Sequence, residues 1–461
     1  HAHDGRTQLN QPDTIAMLRA VLHLCRLFRA LTESETTYIT PCLCKLIGLC
    51  LHKSLLSKGI LHMVMNPSEL TENAPGKLLP IESGAYAYVP DDLPNGLSLP
   101  PLLVKKLAIA ENKLGQLLGI TGREFNPYLI GSPMLHREAI LSSRMEGTIT
   151  TPRQLVLFEL SGSDDEPLDD KDIDAQEVAN YTRAMKHGLE LLDELPVCLR
   201  LIRETHRVLM AGVRGSKEKP GEFRSSQNYI RSKSQRGIQF ARFIPPPVQE
   251  MKDALEAFEI YLNMKESTCN DPVLIRLALI HYQFETIHPF RDGNGRIGRL
   301  LLPLLLCNNG RLKVPVLYLS AFFERNRDDY VDLLLNVSKT GNWISWIDFF
   351  LDAVLESAEE SISTAESLLE LRQKYHRHFQ KGKSSAKLIR LIDSLFQLPA
   401  ITINQAADIL GISHQAAASN LRKLEHSKIL TESSGKSRNM LFIAEEILSF
   451  MYVQEEKETN G

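Results

Sequence analysis

Residues Val273-Leu-Ile-Arg-Leu-Ala-Leu-Ile-His-Tyr-Gln-Phe-Glu-Thr-Ile-His288-Pro-Phe-Arg-Asp292-Gly-Asn-Gly-Arg296-Ile-Gly-Arg299-Leu-Leu-Leu-Pro-Leu-Leu-Leu306 hold two apolar stretches around a polar, glycine-rich dozen. Val273, Leu274, Leu277, Ile280, His281, Phe284 and Ile287 recur at helical spacing, which predicts a buried helix ending at His288. Ile297, Leu300, Leu301, Leu304 and Leu305 begin a second apolar helix. Between them, Gly293 and Gly295 are expected to turn the chain with positive φ. The amides of Gly293, Asn294 and Gly295 would then point into the space where the helix dipole favours an anion. Three guanidinium groups, of which Arg296 and Arg299 follow the glycine turn, share the same dozen with one carboxylate and one imidazole. That set suits a nucleotide triphosphate, which needs close amides, guanidinium partners for its outer phosphates and a carboxylate for a divalent metal.

Other readings of the dozen compete. Gly293-Asn-Gly-Arg-Ile-Gly298 matches the dinucleotide fingerprint, but it follows a helix rather than a strand and has no suitable acidic residue about twenty positions on. Glu285-Thr-Ile-His288 has the spacing of a carboxylate-bridged metal site, and the second such motif that those folds need is missing. A satisfied core histidine beside an ordinary helical joint accounts for any one of these residues but not for the set.

The dozen resembles the Fic family motif, His-x-Phe-x-Asp/Glu-Gly-Asn-Gly-Arg-x-x-Arg, with every specified position filled from His288 to Arg299. The resemblance implies a mainly α, Fic-type helical domain with a β-hairpin flap. It also implies transfer of AMP from ATP to a Ser, Thr or Tyr hydroxyl of a target protein. His288 would be the general base and Asp292 the Mg²⁺ ligand. Gly293, Asn294, Gly295, Ile297 and Gly298 would form the nucleotide-binding turn, with Asn294 and nearby amides on the α-phosphate. Arg296 and Arg299 would hold the β- and γ-phosphates. Phe290 reads as the buried anchor of the loop. Tyr330, in Asn326-Arg-Asp-Asp-Tyr330, resembles the residue that lends its ring to the adenine pocket; ordinary helix packing is the other reading.

Upstream, Ser142-Ser-Arg-Met-Glu146-Gly147 is similar to the family's inhibitory motif, Ser/Thr-x-x-x-Glu-Gly/Asn, and its place before the catalytic dozen resembles the class with an N-terminal inhibitory helix. Ser142 and Glu146 lie one helical turn apart. By that resemblance Glu146 pairs with Arg299 and occupies the fork that the γ-phosphate needs, so resting activity is low. An ordinary helix end at Gly147 is the structural alternative. Gly221 to Ile230 and Phe240 to Pro247, joined by a polar turn, read as the flap hairpin, closed by Pro245, Pro246 and Pro247. Many relatives carry Gly-Gly where this chain has Arg231-Ser232.

Chain length fits several domains: 461 residues at roughly 100–200 per domain give about three. Residues 1–64 form an N-terminal extension that matches the rest poorly, starts at His1 and holds four of the seven cysteines. Arg19, Arg26 and Arg29 interrupt Ile15 to Leu31 too often for a membrane span. The expectation is a native start at Met63 or Met65, with residues 1–62 taking no part in the chemistry. Residues 65–160 are expected to be a helical N-terminal region containing the inhibitory helix. Residues 172–355 are the catalytic domain, 356–384 a helical connector and 385–455 a winged helix-turn-helix.

A net charge of −3 gives no global attraction to nucleic acid or anionic membrane, so contact with either must be local. Basic and acidic residues nearly balance between Lys387 and Val453, which leaves DNA binding and protein docking or dimerisation both open for the winged helix. The cysteines lack metal-binding spacing and, without an evident signal peptide, read as reduced thiols of a cytoplasmic protein. A DNA-binding regulator that uses the Fic domain as a nucleotide sensor is the alternative from another class. De-adenylylation, or transfer of another phosphate-linked group, is the alternative within the same one.

Overall fold

In a computed structural model the described residues are 65–122, 126–161, 170–216, 218–230, 238, 241–265, 267–380, 385–433 and 440–452. The expectations for residues 1–62, the flap turn with Arg231-Ser232 and part of the expected winged helix, 434–439, lie outside them.

Helices α1 (Pro101–Thr121), α2 (Tyr128–Arg144), α3 (Pro152–Ser161), α4 (Asp170–Leu192), α5 (Leu199–Leu209) and α6 (Val248–Leu262) precede the central pair. That pair is α7 (Val273–Ile287) and α8 (Asn294–Asn308), followed by α9 (Ser320–Arg325), α10 (Arg327–Thr340) and α11 (Trp343–Phe379). The spacing of α7 predicts one apolar face, but the helix is buried nearly all round, Arg276, His281 and Gln283 included. Its polar side chains stay inside because each finds a backbone partner: Arg276 donates to Tyr261 O, Gln283 to Asp91 O and His281 Nδ1 to Gly298 O.

The region 65–160 is not helical throughout. It opens with a hairpin, β1 (Gly76–Pro80) antiparallel to β2 (Tyr86–Pro90), registered Leu78 against Tyr88. Five-residue strands ending in proline give little periodicity, which explains why the sequence reading missed them. The hairpin braces the flap: Tyr88 N donates to Ile244 O at 2.8 Å, and Met65, Tyr88 and Phe243 form a small apolar cluster. Of the flap itself, the described residues show one antiparallel bridge, Ile230 to Phe243.

Helix α11 has Asn342 as N-cap, its side chain accepting from Ser345 N, and runs 37 residues without a break. It therefore crosses residue 355, where the sequence suggests a boundary, and packs along α1 and against α7 and α9.

Beyond it come α12 (Ser385–Gln397), β3 (Ala400–Thr402), α13 (Ile403–Leu410), α14 (His414–His426), β4 (Thr431–Glu432), β5 (Leu441–Ile443) and α15 (Glu445–Leu448). Thr402 and Gln405 make a capping box for α13, Gly411 ends it in the left-handed region, and Ser413 caps α14. With the sheet order β3-β5-β4, this element order is compatible with the expected winged helix. Its core is continuous with the rest of the described fold, because α12 and the final 3-10 turn, Ser449–Met451, pack against α2. Among the described residues no helix is long and apolar enough to cross a membrane.

Candidate functional site

The joint between α7 and α8 is held by groups that the dozen itself does not contain. His288 caps α7 in the left-handed region, φ 49° and ψ 61°, an uncommon conformation for a non-glycine residue. Arg224 secures it. This buried guanidinium donates to the carbonyl oxygens of His288 at 3.0 Å, Ser226 at 3.3 Å and Pro246 at 2.5 Å, and the Arg224 amide donates to Pro289 O at 2.9 Å. Burial, and then neighbouring Arg291, pull the Arg224 pKa down to about 10.

His206 of α5 is the second support. Its Nδ1 accepts from Gly221 N at 2.9 Å, so Nε2 carries the hydrogen and donates to Asp292 O at 3.0 Å. Its ring stacks flat on Phe290, centroids 3.7 Å apart, and Phe290 is fully buried. Burial lowers the His206 pKa to about 4, which keeps the imidazole neutral as those bonds require. His206 and Arg224 were invisible as functional residues in the sequence, since nothing local marks a side chain that serves backbone far along the chain.

The turn differs from expectation in three respects. Gly293 has φ 77°, but Gly295 lies inside α8 with ordinary helical backbone. Glycine is needed at 295 for space: a Cβ there would meet Arg299 Nη1 at 2.8 Å and collide with Glu146 Oε1. The Gly293 amide is already used, donating to Asp292 Oδ1 at 2.7 Å. Since Ile297 N makes the first bond of the helix, to Gly293 O, the first-turn amides are those of Asn294, Gly295 and Arg296. The Asn294 side chain is also committed: Oδ1 accepts from Phe290 N and Nδ2 donates to Phe290 O, both at 2.8 Å. It shapes the loop, which leaves the backbone N–H as the Asn294 group that could receive an anion.

Arg296 and Arg299 point inward, each buried. Arg296 Nε and Nη1 lack hydrogen-bond partners among the described residues, and Glu177 stands 3.8 Å from Nη1. A buried guanidinium left in that state suits an anionic ligand.

Arg299 is engaged through Nε and Nη2. Nε donates to Ser142 Oγ at 2.9 Å, and Nη2 donates to Ser142 O and to Glu146 Oε1, both at 2.8 Å. Ser142 sits in the last turn of α2, and Glu146 follows its C-cap, where Gly147 takes φ 96° to turn the chain away. Enclosure pushes the Glu146 carboxyl up, but Arg299, with Arg296 and Arg327 behind it, outweighs this and holds it below the ordinary range. The Glu146 side chain remains 41% exposed, opening into the site cavity.

That cavity is lined by the polar groups of Glu146, Glu285, His288 and Arg299 and by the largely apolar Ile230, Phe243, Tyr330, Val331, Leu334 and Leu335. The His288 imidazole opens into it. Nδ1 lies 3.3 Å from Glu285 O, which assigns the hydrogen to Nδ1 and leaves Nε2 as an acceptor. Burial holds its pKa at about 4, so the ring is neutral at pH 7. Tyr330 is 5% exposed; its hydroxyl donates inward to His281 Nε2 at 2.8 Å and its ring stacks on Phe323. Its geometry is that of packing, with one edge in the cavity wall. Asp292 and Arg296 are not among the residues that line this cavity, and the Asp292 side chain is 53% exposed.

Residues 196–306 match the Fic/DOC family model and residues 104–190 match the Fic/DOC family N-terminal model. The chain is a Fic family protein. Its dozen is the Fic motif, and its α2 lies in the matched N-terminal region. Over 145 residues, 31% of this chain, it is 34% identical to the protein adenylyltransferase Fic of Drosophila melanogaster and 35% identical to that of Drosophila mojavensis. The matched stretch spans 27% and 26% of those proteins. Among solved structures, a Fic family protein from Desulfovibrio desulfuricans G20 aligns with a TM-score of 0.49 and 21% identity, covering 76% of this chain and 98% of that one. Fic-1 from C. elegans aligns at 0.44 and 20%, covering 58% and 75%.

Proposed function

We propose that this chain is a self-inhibited protein adenylyltransferase that moves AMP from ATP to a hydroxyl side chain of a target protein. The observation that carries the reading is the pairing of Glu146 with Arg299, on the helix whose N-terminus, Arg296 and neutral His288 together fit a triphosphate and an attacking hydroxyl.

In this reading the first-turn amides of α8 and Arg296 bind the phosphates, and Arg299 receives the γ-phosphate once Glu146 has left. His288 Nε2 takes the proton of the target hydroxyl as its oxygen bonds to the α-phosphorus. The bond from that phosphorus to the bridging oxygen breaks, and pyrophosphate departs. A bound polyanion beside His288 raises its pKa toward the range where a base works best. Among the described residues no cluster of three or more His, Cys, Asp or Glu is placed to hold a metal. A single exposed carboxylate on a phosphate turn is nonetheless the donor set that suits Mg²⁺, which takes most of its ligands from phosphates and water. Asp292 would hold it, and when bound it would neutralise phosphate charge.

A second reading, a nucleotide-sensing DNA-binding regulator, draws on α14, which keeps His414, Gln415, Ser419, Arg422 and Lys423 outward. Arg422 is already paired with Glu425 at 2.6 Å, and this reading leaves His288 without a task.

Incubation with Mg²⁺ and α-labelled ATP, with and without cell lysate, tests the proposal. Glu146→Gly is expected to label protein at least about 10-fold more strongly than wild type, and His288→Ala, which loses the base, not at all. Equal labelling by all three would refute it.

A further inference from the structure

The contacts behind Arg299 continue past Ser142 in one direction. A guanidinium only donates, so Ser142 Oγ accepts from Arg299 Nε, and the serine's own hydrogen must be placed elsewhere. The Ser142 hydroxyl is one of the groups that act on the phenol of Tyr181 on α4, and among the described hydrogen bonds it donates to nothing else. Tyr181 spends its hydrogen on Glu138 Oε1 at 3.1 Å, which leaves its oxygen free to accept from Ser142. Glu138 Oε1 also accepts from the hydroxyl of Ser320, at 2.5 Å, while Oε2 is buried with no hydrogen-bond partner. Glu138, Ser142, Tyr181 and Arg299 are all buried.

Glu138 precedes Ser142 by four residues, on the same face of α2. A carboxyl so deep in the fold is costly unless it is paired, and an apolar residue of similar size would fill the position more cheaply. Its neighbours do not form a site for a ligand. What it does have is the acceptor end of a chain whose donor end is the arginine of the switch.

We propose that Glu138 is a positioning residue of the inhibitory switch. It terminates a one-way hydrogen-bond chain, Arg299 to Ser142 to Tyr181 to Glu138, that fixes the Nε edge of the guanidinium on α2. With that edge fixed, Nη2 is presented to Glu146. When the chain is cut the guanidinium turns more freely, and Glu146 competes less well with an incoming γ-phosphate. Glu138 touches no reacting atom. The proposal rests on the reading of Glu146 as the inhibitory group.

The test compares resting AMP transfer in the full chain with Mg²⁺ and α-labelled ATP. Tyr181→Phe deletes the central link at constant shape, Glu138→Leu removes the terminus, and Glu138→Gln retains an acceptor oxygen. Tyr181→Phe and Glu138→Leu are expected to raise the resting rate about five-fold, the worth of roughly one hydrogen bond, while Glu138→Gln stays near wild type. In a Glu146→Gly background none of them should change the rate by more than about two-fold, because the contact they support is gone. A merely structural role would lower the rate in both backgrounds, and that result would overturn the proposal. So would no change in either background, or a rise in one of the two cutting variants without the other. If Glu146→Gly is itself no faster than wild type, the self-inhibition reading fails whatever the Glu138 variants do.

Discussion

His288 is held in a strained left-handed conformation, neutral, with one nitrogen committed and one open. The residue that pins it is Arg224, whose donors go to backbone oxygens rather than to a carboxylate. Arg224→Ala should therefore cost about 3 kcal/mol in denaturant unfolding, since it strands several buried acceptors at once. Arg224→Lys should recover little of this, because an ammonium cannot span the same fork of carbonyls. The imidazole offers a second check. A folded pKa of about 4 against an ordinary value near 6.5 means that acid protonates the unfolded chain first, so this group's stability contribution is full above about pH 6.5 and is lost as pH falls toward 4. An NMR titration of the His288 ring should find it neutral from pH 8 down to 5.5; a midpoint near 6.5 would contradict the buried, Nδ1-bonded geometry. The dozen was legible in the sequence because glycine, arginine and histidine at fixed offsets leave few chemistries open. The supports were not, because His206 and Arg224 act across 86 and 64 positions of chain, and no periodicity records that.

Among the elements, the pairing of α7 with α8 sets the depth of the site. Gly298 is a point of tight contact between the two: a Cβ there would collide with Glu285 Oε1 and come within 3.2 Å of Phe284 Cδ1. Gly298→Ala is expected to destabilise the fold by about 1–3 kcal/mol, as overpacking does, and to move Glu285. Thermal or denaturant melting reads the first effect. Glu285 belongs to this joint: half-buried and raised to about 7 by desolvation, with Arg299 pulling it down and Glu146 pushing it up, it lines the cavity with the Arg299–Glu146 pair. Helix positions were readable in advance to within a few residues, since long apolar periodicity is a strong signal. The hairpin at 76–90 was not, and the helical backbone of Gly295 corrects a reading that took every glycine in the turn as a hinge. There the limiting factor is space between side chains, which composition cannot show.

At the scale of the whole described fold, α2 is enclosed on both sides. Helices α4 and α9 cover one, and α12 with the last 3-10 turn covers the other. Arg153 ties α3 to Glu445 at 3.0 Å and to Ser433, and Tyr375 of α11 donates to Glu446 at 2.7 Å. The C-terminal elements are therefore part of the wall that holds α2, the helix of Ser142, in place, which reading them as a separate domain did not anticipate. A chain ended at Phe379 should melt at least about 5 °C lower, the shift expected for loss of a few kcal/mol of apolar packing in a chain of this size, and should show a higher resting transfer rate. Unchanged melting and unchanged resting rate would detach the C-terminal elements from the switch.

The central claim is that Glu146 and the γ-phosphate compete for Arg299. Calorimetric titration with Mg²⁺ present measures this without any need for a target protein. Removing the carboxylate that accepts from Arg299 Nη2 should tighten ATP binding by about 10-fold or more in Glu146→Gly relative to wild type, the worth of one charge-assisted hydrogen bond. AMP, which has no γ-phosphate, should bind both proteins alike. Equal ATP affinity in the two proteins would contradict the account.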